Sequence, residues 1–425
     1  MITLTDEQSA ALDRVADWYT AWHPSVHSEP FRLFGPAGTG KTTLARHLAD
    51  RLGISGVVFG AYTGKAASVL TKRGVPATTI HSAIYRPQEN YEARRRLREL
   101  QDEQDELLLD PNVRHDPEAS GRVTELIGLI EEAEAELRKG PGFVLNPESE
   151  WSWADLIVLD EVSMVNAEMA ADIESFGVPV LVLGDPFQLP PVRGYGHYTD
   201  AAPDVLLETI HRQALESPVL RLATDIRIDV GDPGRPGGYE WGIVSISKAM
   251  QYEQVLCWRN ATRWKLTNAI RSKLDRSADK VVPGDRVICL VNNKKDLGVL
   301  NGQQFDVLEV KGEAFLVRES GTDLERWIQY EPAGFAGANG EASLKSMRLW
   351  RGGVGAFTFA NVVTVHKAQG SEWDSVYVVD ETRPMIEQQA RRGTRAEAIE
   401  QARRWLYTAV TRAKEDVQLA RLRSG

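Results

Sequence analysis

Two hydrophobic patterns alternate along this chain: short continuous apolar runs that read as buried strands, and stripes at helical spacing that follow them. Phe31-Arg32-Leu33-Phe34 ends the first such strand, and Leu44, Leu48 and Leu52 then recur every fourth residue until Gly53 stops the helix. Residues 56–61 give a second strand, followed by a polar turn and a helix through Val69 and Leu70. Residues 156–159 and 180–183 are uninterrupted apolar runs, as expected of central parallel strands. A second series starts at residues 255–257, with Trp264, Leu266 and Ile270 on the next helix. It resumes with an apolar run from Phe359, a strand at 376–379 and a final helix over 403–414. Strands alternating with helices predict an α/β fold built on parallel sheets, here in two lobes.

Two stretches interrupt that rhythm. In residues 86–150, Leu97, Leu100 and Leu107 form one helical stripe and Leu126, Ile130, Ala133 and Leu137 another, with Asp110-Pro111 and Asp116-Pro117 breaking the pattern between them. This predicts a helix pair projecting from the first lobe. In residues 282–357 the periodicity changes to two: segments 286–290, 304–308 and 314–317 alternate as strands, and Asn301-Gly302 is a turn signal. This predicts a small β-barrel inserted in the second lobe. The expected organisation is a first lobe over 1–85 and 151–230, split by the helical insertion 86–150, and a second over 231–281 and 358–425, split by the barrel 282–357. The Gly- and Pro-rich stretch 231–238 is the predicted hinge.

Composition changes this picture little. Cys257 and Cys289 are the only cysteines and form no C-x-x-C pair, so a reduced cytosolic protein without a zinc site is expected. No secretion signal opens the chain and no apolar run is long enough to span a bilayer. The net charge is −10, yet residues 86–140 hold 15 acidic and 9 basic side chains, a net of −6. The acidity is thus largely an appendage, and a basic internal channel remains compatible with the rest. The Arg94-Arg95-Arg96 cluster with Arg98 reads as a solvated face balancing nearby carboxylates, and only weakly as a phosphate grip.

The candidate chemistry sits at strand ends. Gly35-Pro36-Ala37-Gly38-Thr39-Gly40-Lys41-Thr42-Thr43 fits the phosphate-loop pattern G-x-x-x-x-G-K-[ST], with a strand before it and a helix after it. Such a turn aims backbone N–H groups and a positive helix end at one point, where Lys41 adds a cation and the Thr42 hydroxyl can sit on Mg²⁺. A nucleoside triphosphate is the implied ligand. Asp160-Glu161 ends a central strand and suits metal holding and water activation. The proline-bracketed turn at 184–191 places Asp185 and Gln188 near the same rim, where a glutamine can sense the γ-phosphate. Tyr62-Thr63-Gly64-Lys65 and Thr78-Thr79-Ile80-His81-Ser82 are polar helix starts at the ends of other strands. Gln8 is either the far end of a capping box with Thr5 or a partner for an adenine edge.

Taken in order, these motifs resemble those of superfamily 1 helicases. Gln8, the phosphate loop, Tyr62-Thr63-Gly64-Lys65, Thr79-Ile80-His81, Asp160-Glu161 and Gly184-Asp185-Pro186-Phe187-Gln188-Leu189 are followed by Thr364-Val365-His366-Lys367-Ala368-Gln369-Gly370 and Tyr407-Thr408-Ala409-Val410-Thr411-Arg412-Ala413. The likeness is strongest to the RecD and phage Dda branch, superfamily 1B, and covers both lobes but not the 86–150 insertion. It implies two RecA-like P-loop NTPase lobes, an SH3-like barrel, ATP and Mg²⁺ between the lobes, and 5′-to-3′ movement on single-stranded DNA with strand separation. It assigns Gln8 to adenine, the phosphate loop with Gly370 and Glu372 to the nucleotide, and Thr42 and Asp160 to the metal. Glu161 would activate water, Gln188 would sense the γ-phosphate, and Arg212 and Arg412 would be arginine fingers. Thr63, Lys65, Thr79, His81, Thr364 and His366 would face the nucleic acid. It further implies action at single-strand/duplex junctions, a single-strand-binding protein or replisome component as partner, and a monomer in the cytoplasm of a bacterial or phage-infected cell. Replication, repair and recombination are the implied settings.

Tyr62 and Trp373 depart from the residues common in that branch, and the insertion stands where relatives carry a small strand-separating hairpin. Competing readings are a translocase on RNA, one that displaces proteins without unwinding, and an ATP-gated nucleic-acid clamp. The intact Asp160-Glu161 pair with Arg412 favours hydrolysis over the clamp.

Overall fold

Continuous Val/Leu/Ile runs have no polar face, so they are stable only as strands covered on both sides, and the protein builds two parallel sheets from them. A computed structural model describes residues 4–26, 28–88, 91–109, 117–138, 142–189, 196–208, 217–228, 241–293, 296–320, 322–344 and 353–422. In the first lobe, β1 (Phe31–Phe34), β2 (Val57–Ala61), β3 (Ala77–Thr79), β6 (Leu156–Asp160), β7 (Val180–Gly184) and β8 (Val205–Leu206) pair in the order β3-β2-β6-β7-β1-β8, all parallel. β4 (Tyr85–Gln88) and β5 (Gly142–Leu145) form a separate antiparallel ribbon. In the second lobe, β9 (Gly242–Ile243), β10 (Gln254–Cys257), β17 (Val362–Thr364), β18 (Trp373–Asp380) and β19 (Ala413–Arg421) pair in the order β17-β10-β18-β19-β9, again all parallel.

Register decides what meets at the sheet edge. Phe34 is level with Gly184 and Ala61 with Asp160, so the turns after β1, β7, β6 and β2 leave the first sheet side by side. The chemistry-bearing residues leave from that C-terminal edge. The second lobe answers with its opposite edge, because Gly370, Glu372 and Arg412 lie just before β18 and β19.

The interruptions fold separately. Helices Tyr91–Leu109 and Pro117–Arg138 rise from the β4–β5 ribbon and are tied by Arg122 to Glu103, with Leu126 and Ala133 buried and Leu97, Leu100 and Leu107 half-buried along the seam. In the second lobe, β11 (Arg286–Cys289), β12 (Gln304–Lys311), β13 (Ala314–Glu319), β14 (Glu325–Tyr330), β15 (Val354–Gly355) and β16 (Phe357–Phe359) pair in the order β15-β14-β13-β12-β11-β16. The outermost strands β15 and β16 are consecutive in the chain, so one stretch bent at Ala356 pairs with both ends of the sheet and rolls it into a barrel. Its core is aromatic: Phe305, Phe315, Phe357 and Phe359 are fully buried, and Phe315 stacks on Tyr330 at 4.4 Å.

Three segments differ from the sequence reading. The last helix is Arg395–Val410, not 403–414, and the chain turns at Thr411-Arg412 into β19. Helix Pro218–Ile228 turns Val219, Leu222, Ala223 and Ile226 into the core of the second lobe although it precedes residue 230. The barrel ladder runs on to Phe359. The predicted hinge 231–238 lies outside the described residues. Among the described residues, no helix is long and apolar enough to cross a membrane.

The barrel is anchored by one buried guanidinium. Arg271, on helix Asn260–Lys273, donates to Asp285 Oδ1 at 2.7 Å and to the carbonyls of Ser277 and Lys280, and lies 3.7 Å from the Phe359 ring centre. Both charged groups are fully buried. Asp285→Ala would strand Arg271 without its counter-charge, so we expect a loss of about 3 kcal/mol or more in denaturant unfolding, against little change for an exposed pair such as Lys311–Glu309.

Candidate functional site

Between the two sheet edges lies a cleft lined by both lobes. The first lobe contributes Ala37, Gly38, Lys41, Thr42, Asp160, Glu161, Asp185 and Gln188; the second contributes Gly370, Glu372, Thr411 and Arg412. The phosphate loop holds its shape because Gly38 and Gly40 take φ of 85° and 78°, a left-handed conformation that side chains disfavour. Helix Lys41–Leu52 starts directly behind, so its free N–H groups open onto the cleft. Lys41 Nζ donates to the carbonyls of Gly35 and Pro36 at 2.6 and 3.0 Å, parked within reach of any phosphate the loop cradles.

Carboxylates crowd the floor. Thr42 Oγ1 donates to Asp160 Oδ2 at 2.8 Å, which brings two hard oxygen donors to one point at the helix start. Glu161 has a left-handed backbone, φ 56°, unusual for a residue with a side chain. That turn aims it back into the cleft. One side of Glu161 faces the cleft while protein packs round the rest, and burial drives its carboxyl above the usual range. Asp160 and Asp185 push the same way, whereas Arg412 and Lys41 oppose it. Asp185 is fully buried and likewise raised, chiefly by burial, with Lys41 and the Tyr407 hydroxyl as opposing influences. A carboxylate whose proton affinity is raised by burial, and which lies beside cations, is suited to proton abstraction.

Arg412 comes from the other lobe. Its side chain is 4% exposed, is steadied by the Thr408 and Ser371 carbonyls at 3.2 and 3.3 Å, and faces Glu161. Gln188 is also buried, and its Oε1 has no hydrogen-bond partner among the described residues. Gln8 closes the capping box with Thr5, and its Nε2 donates to the Thr39 carbonyl of the phosphate loop at 3.0 Å. Glu372 pairs with Arg73 across the cleft mouth at 3.0 Å. Gly35, Pro36 and Thr39 are buried beneath the loop, and Thr43 follows on the helix. Arg212 lies outside the described residues.

A second hollow lies on the far side of helix Gly64–Lys72. It gathers Thr63, Lys65, Thr79, His81 and His366, drawn from both lobes, and adds Asn292, Asn301 and Gly302 from the barrel. Thr63 and Thr79 cap their helices through Ala66 N and Ser82 N. Thr364 is buried at the tip of β17 and does not line this hollow. The His81 ring lies 4.9 Å from Tyr85 and 4.5 Å from Phe143, both on the ribbon that carries the insertion. Lys65 sits 4.9 Å from the Trp373 ring; burial first, then Lys72, Arg286 and Arg412, lower its pKa to about 8 against the pull of Glu253. The two hollows share a wall: Gly370, φ 71°, lies so close to Thr63 and Ala66 that a Cβ there would meet Thr63 Oγ1 at 2.8 Å.

Sequence reasoning missed Arg73 and the barrel's part in the second hollow, and it gave no role to Asp185, Tyr407 or Thr411. Asn301-Gly302 was visible only as a turn. Its presence over the hollow follows from Leu300, which packs so tightly on Gly64 that a Cβ there would meet it at 2.8 Å.

Residues 3–234 match the AAA domain family model, and residues 359–420 match the UvrD-like helicase C-terminal domain model. No curated protein matches. Among solved structures, Bacteroides Pif1 bound to ssDNA is 18% identical, with 98% of this chain and 92% of that chain covered at a TM-score of 0.52. Pif1 helicase from Candida albicans is 17% identical over 100% and 96% of the two chains, at a TM-score of 0.49. The first of these shares the overall fold of this chain. With more than half its length matched by that first model, the chain belongs to the AAA domain family, and a UvrD-like helicase C-terminal domain completes its second lobe.

Proposed function

We propose that this protein is a superfamily 1B helicase that couples ATP hydrolysis in the inter-lobe cleft to 5′-to-3′ movement along single-stranded DNA, and that it separates strands at single-strand/duplex junctions as a monomer. One observation carries the reading: Arg412 of the second lobe and Lys41, Asp160 and Glu161 of the first face a single cleft, whose wall is also the wall of the second hollow. The phosphate loop and Lys41 would bind the triphosphate. Thr42 and Asp160 offer the few hard oxygens that Mg²⁺ takes from protein when phosphates supply the rest; the bound ion would neutralise charge between the phosphates. Glu161 would take the proton of the attacking water. Gln188, in the lining of the same cleft, would report the state of the γ-phosphate through its amide N–H donors. Arg412 would meet charge that develops in the transition state, which makes turnover conditional on lobe closure.

In the second hollow, Thr63, Lys65, Thr79, His81 and His366 would hold the strand, with the barrel's Asn292 and Asn301 on its other side. Aromatic stacking against bases tolerates any sequence and suits movement without site preference. Because the contacts belong to both lobes, opening and closing shifts one set of grips relative to the other.

Arg412→Ala is expected to lower DNA-stimulated ATP turnover by about 10³-fold or more while ATP still binds. Lys41→Ala should abolish turnover, and Glu161→Gln should bind ATP and stay closed on DNA. Strand displacement on 5′-tailed and 3′-tailed DNA and RNA duplexes tests substrate and direction together. Unwinding of 3′-tailed DNA alone would reverse the direction, and equal ATPase with and without DNA would refute a translocase.

Lys65 carries a pH signature. With its pKa lowered to about 8, it is charged below that pH and neutral above it, so its grip on a phosphate is present at pH 7 and fades as pH rises through that value. Single-strand affinity should therefore fall across this range at constant salt, and Lys65→Arg should remove the fall. Salt titration should give a log–log slope of about −0.7 per neutralised phosphate.

A further inference from the structure

The polar joint between the lobes runs through a residue outside the roles described so far. Tyr407 stands on helix Arg395–Val410 of the second lobe, 2% exposed. Its hydroxyl donates to Asp185 Oδ2 at 2.6 Å and accepts from the Ala37 N–H of the phosphate loop at 3.3 Å. Asp185 in turn shapes the turn that presents Gln188: its Oδ1 accepts from Phe187 N at 3.0 Å, and its carbonyl from Gln188 N at 3.1 Å. Next to it, Leu189 N donates to Thr408 Oγ1 at 3.0 Å and the Leu189 carbonyl accepts from Gln369 Nε2 at 3.2 Å. The Gln188 turn is thus clamped by the second lobe at both Asp185 and Leu189.

We propose that Tyr407 is a positioning residue through which docking of the second lobe sets both the phosphate loop and the Gln188 turn for hydrolysis. A buried carboxylate is costly unless its oxygens are satisfied. Within the first lobe, Asp185 finds a donor for Oδ1, whereas Oδ2 takes its donor from Tyr407. When the lobes part, Oδ2 loses that partner and the Gln188 turn loses its brace. When they close, one phenol restores the brace and fixes Ala37 as well. The lobe that brings Arg412 therefore also sets the geometry that Arg412 acts on, five residues further along the same chain segment.

This rests on the cleft being the ATP hydrolysis site. The test is steady-state ATPase with saturating single-stranded DNA on Tyr407→Phe, Tyr407→Ala, Asp185→Asn and the Tyr407→Phe/Asp185→Asn double variant. Thermal melting and single-strand affinity serve as checks on folding. Loss of the hydroxyl should lower kcat about tenfold with the KM for ATP kept within about twofold. The double variant should be no slower than its slower parent, because both changes cut one connection. Wild-type kcat in Tyr407→Phe with a defect only in Tyr407→Ala would show that ring packing alone matters, and would overturn the proposal. Multiplicative losses in the double variant would overturn it too. If the cleft were not the hydrolysis site, Lys41→Ala would hydrolyse ATP normally, an outcome separate from either of these.

Discussion

A buried guanidinium from one lobe faces the buried carboxylates of the other, and neither group is well placed alone. Arg412 is 4% exposed and, among the described residues of its own lobe, it donates to two carbonyls and a hydroxyl, while Glu161 and Asp185 face it as counter-charges across the cleft. Those carboxylates are pushed toward neutrality by burial and drawn back by Lys41 and Arg412. The electrostatics of the cleft are therefore a property of the pair of lobes. Low local dielectric strengthens each of these terms, and a change in lobe spacing alters all of them together.

The two sheets explain how such a cleft can be assembled from distant sequence. Parallel strands deliver their turns to one edge, so the phosphate loop, Asp160-Glu161 and the Gln188 turn, far apart in the chain, become neighbours through register alone. The second lobe uses the start of β18 and β19, which lets short segments around Gly370 and Arg412 enter the cleft. Gly370 is a matter of clearance: it touches Thr63 and Ala66 of the first lobe, where there is no room for a side chain.

Much of this was legible in the sequence because strong local patterns and global structure agree. The β1, β2, β6 and β7 runs, the helix after the phosphate loop and the Asp160-Glu161 strand tip needed only periodicity and motif spacing. What was not legible was set by tertiary contact. Ala413 and Lys414 read as the tail of the last helix, yet pairing with β18 makes them the start of a strand that runs to Arg421. That change bends the chain at Thr411-Arg412 and aims Arg412 into the cleft. Pro218–Ile228 has an ordinary amphipathic stripe, and nothing local says which lobe it will cover. Gln8 shows a different limit: its capping role was legible from Thr5, whereas the bond from the same amide to the Thr39 carbonyl of the phosphate loop is set by tertiary contact.

The helical insertion is joined to the rest of the molecule in a way that has mechanical meaning. Its ribbon begins at Tyr85, immediately after helix Ile80–Ile84 that bears His81, and returns to pair Asn146 N with the Ile84 carbonyl. His81 touches an aromatic ring on each ribbon strand. Helix Tyr91–Leu109 has 19 residues, so the arm reaches out by about 30 Å. Geometry makes such an arm a lever rooted in the wall of the second hollow: any tilt of that short helix would be magnified along the arm's length.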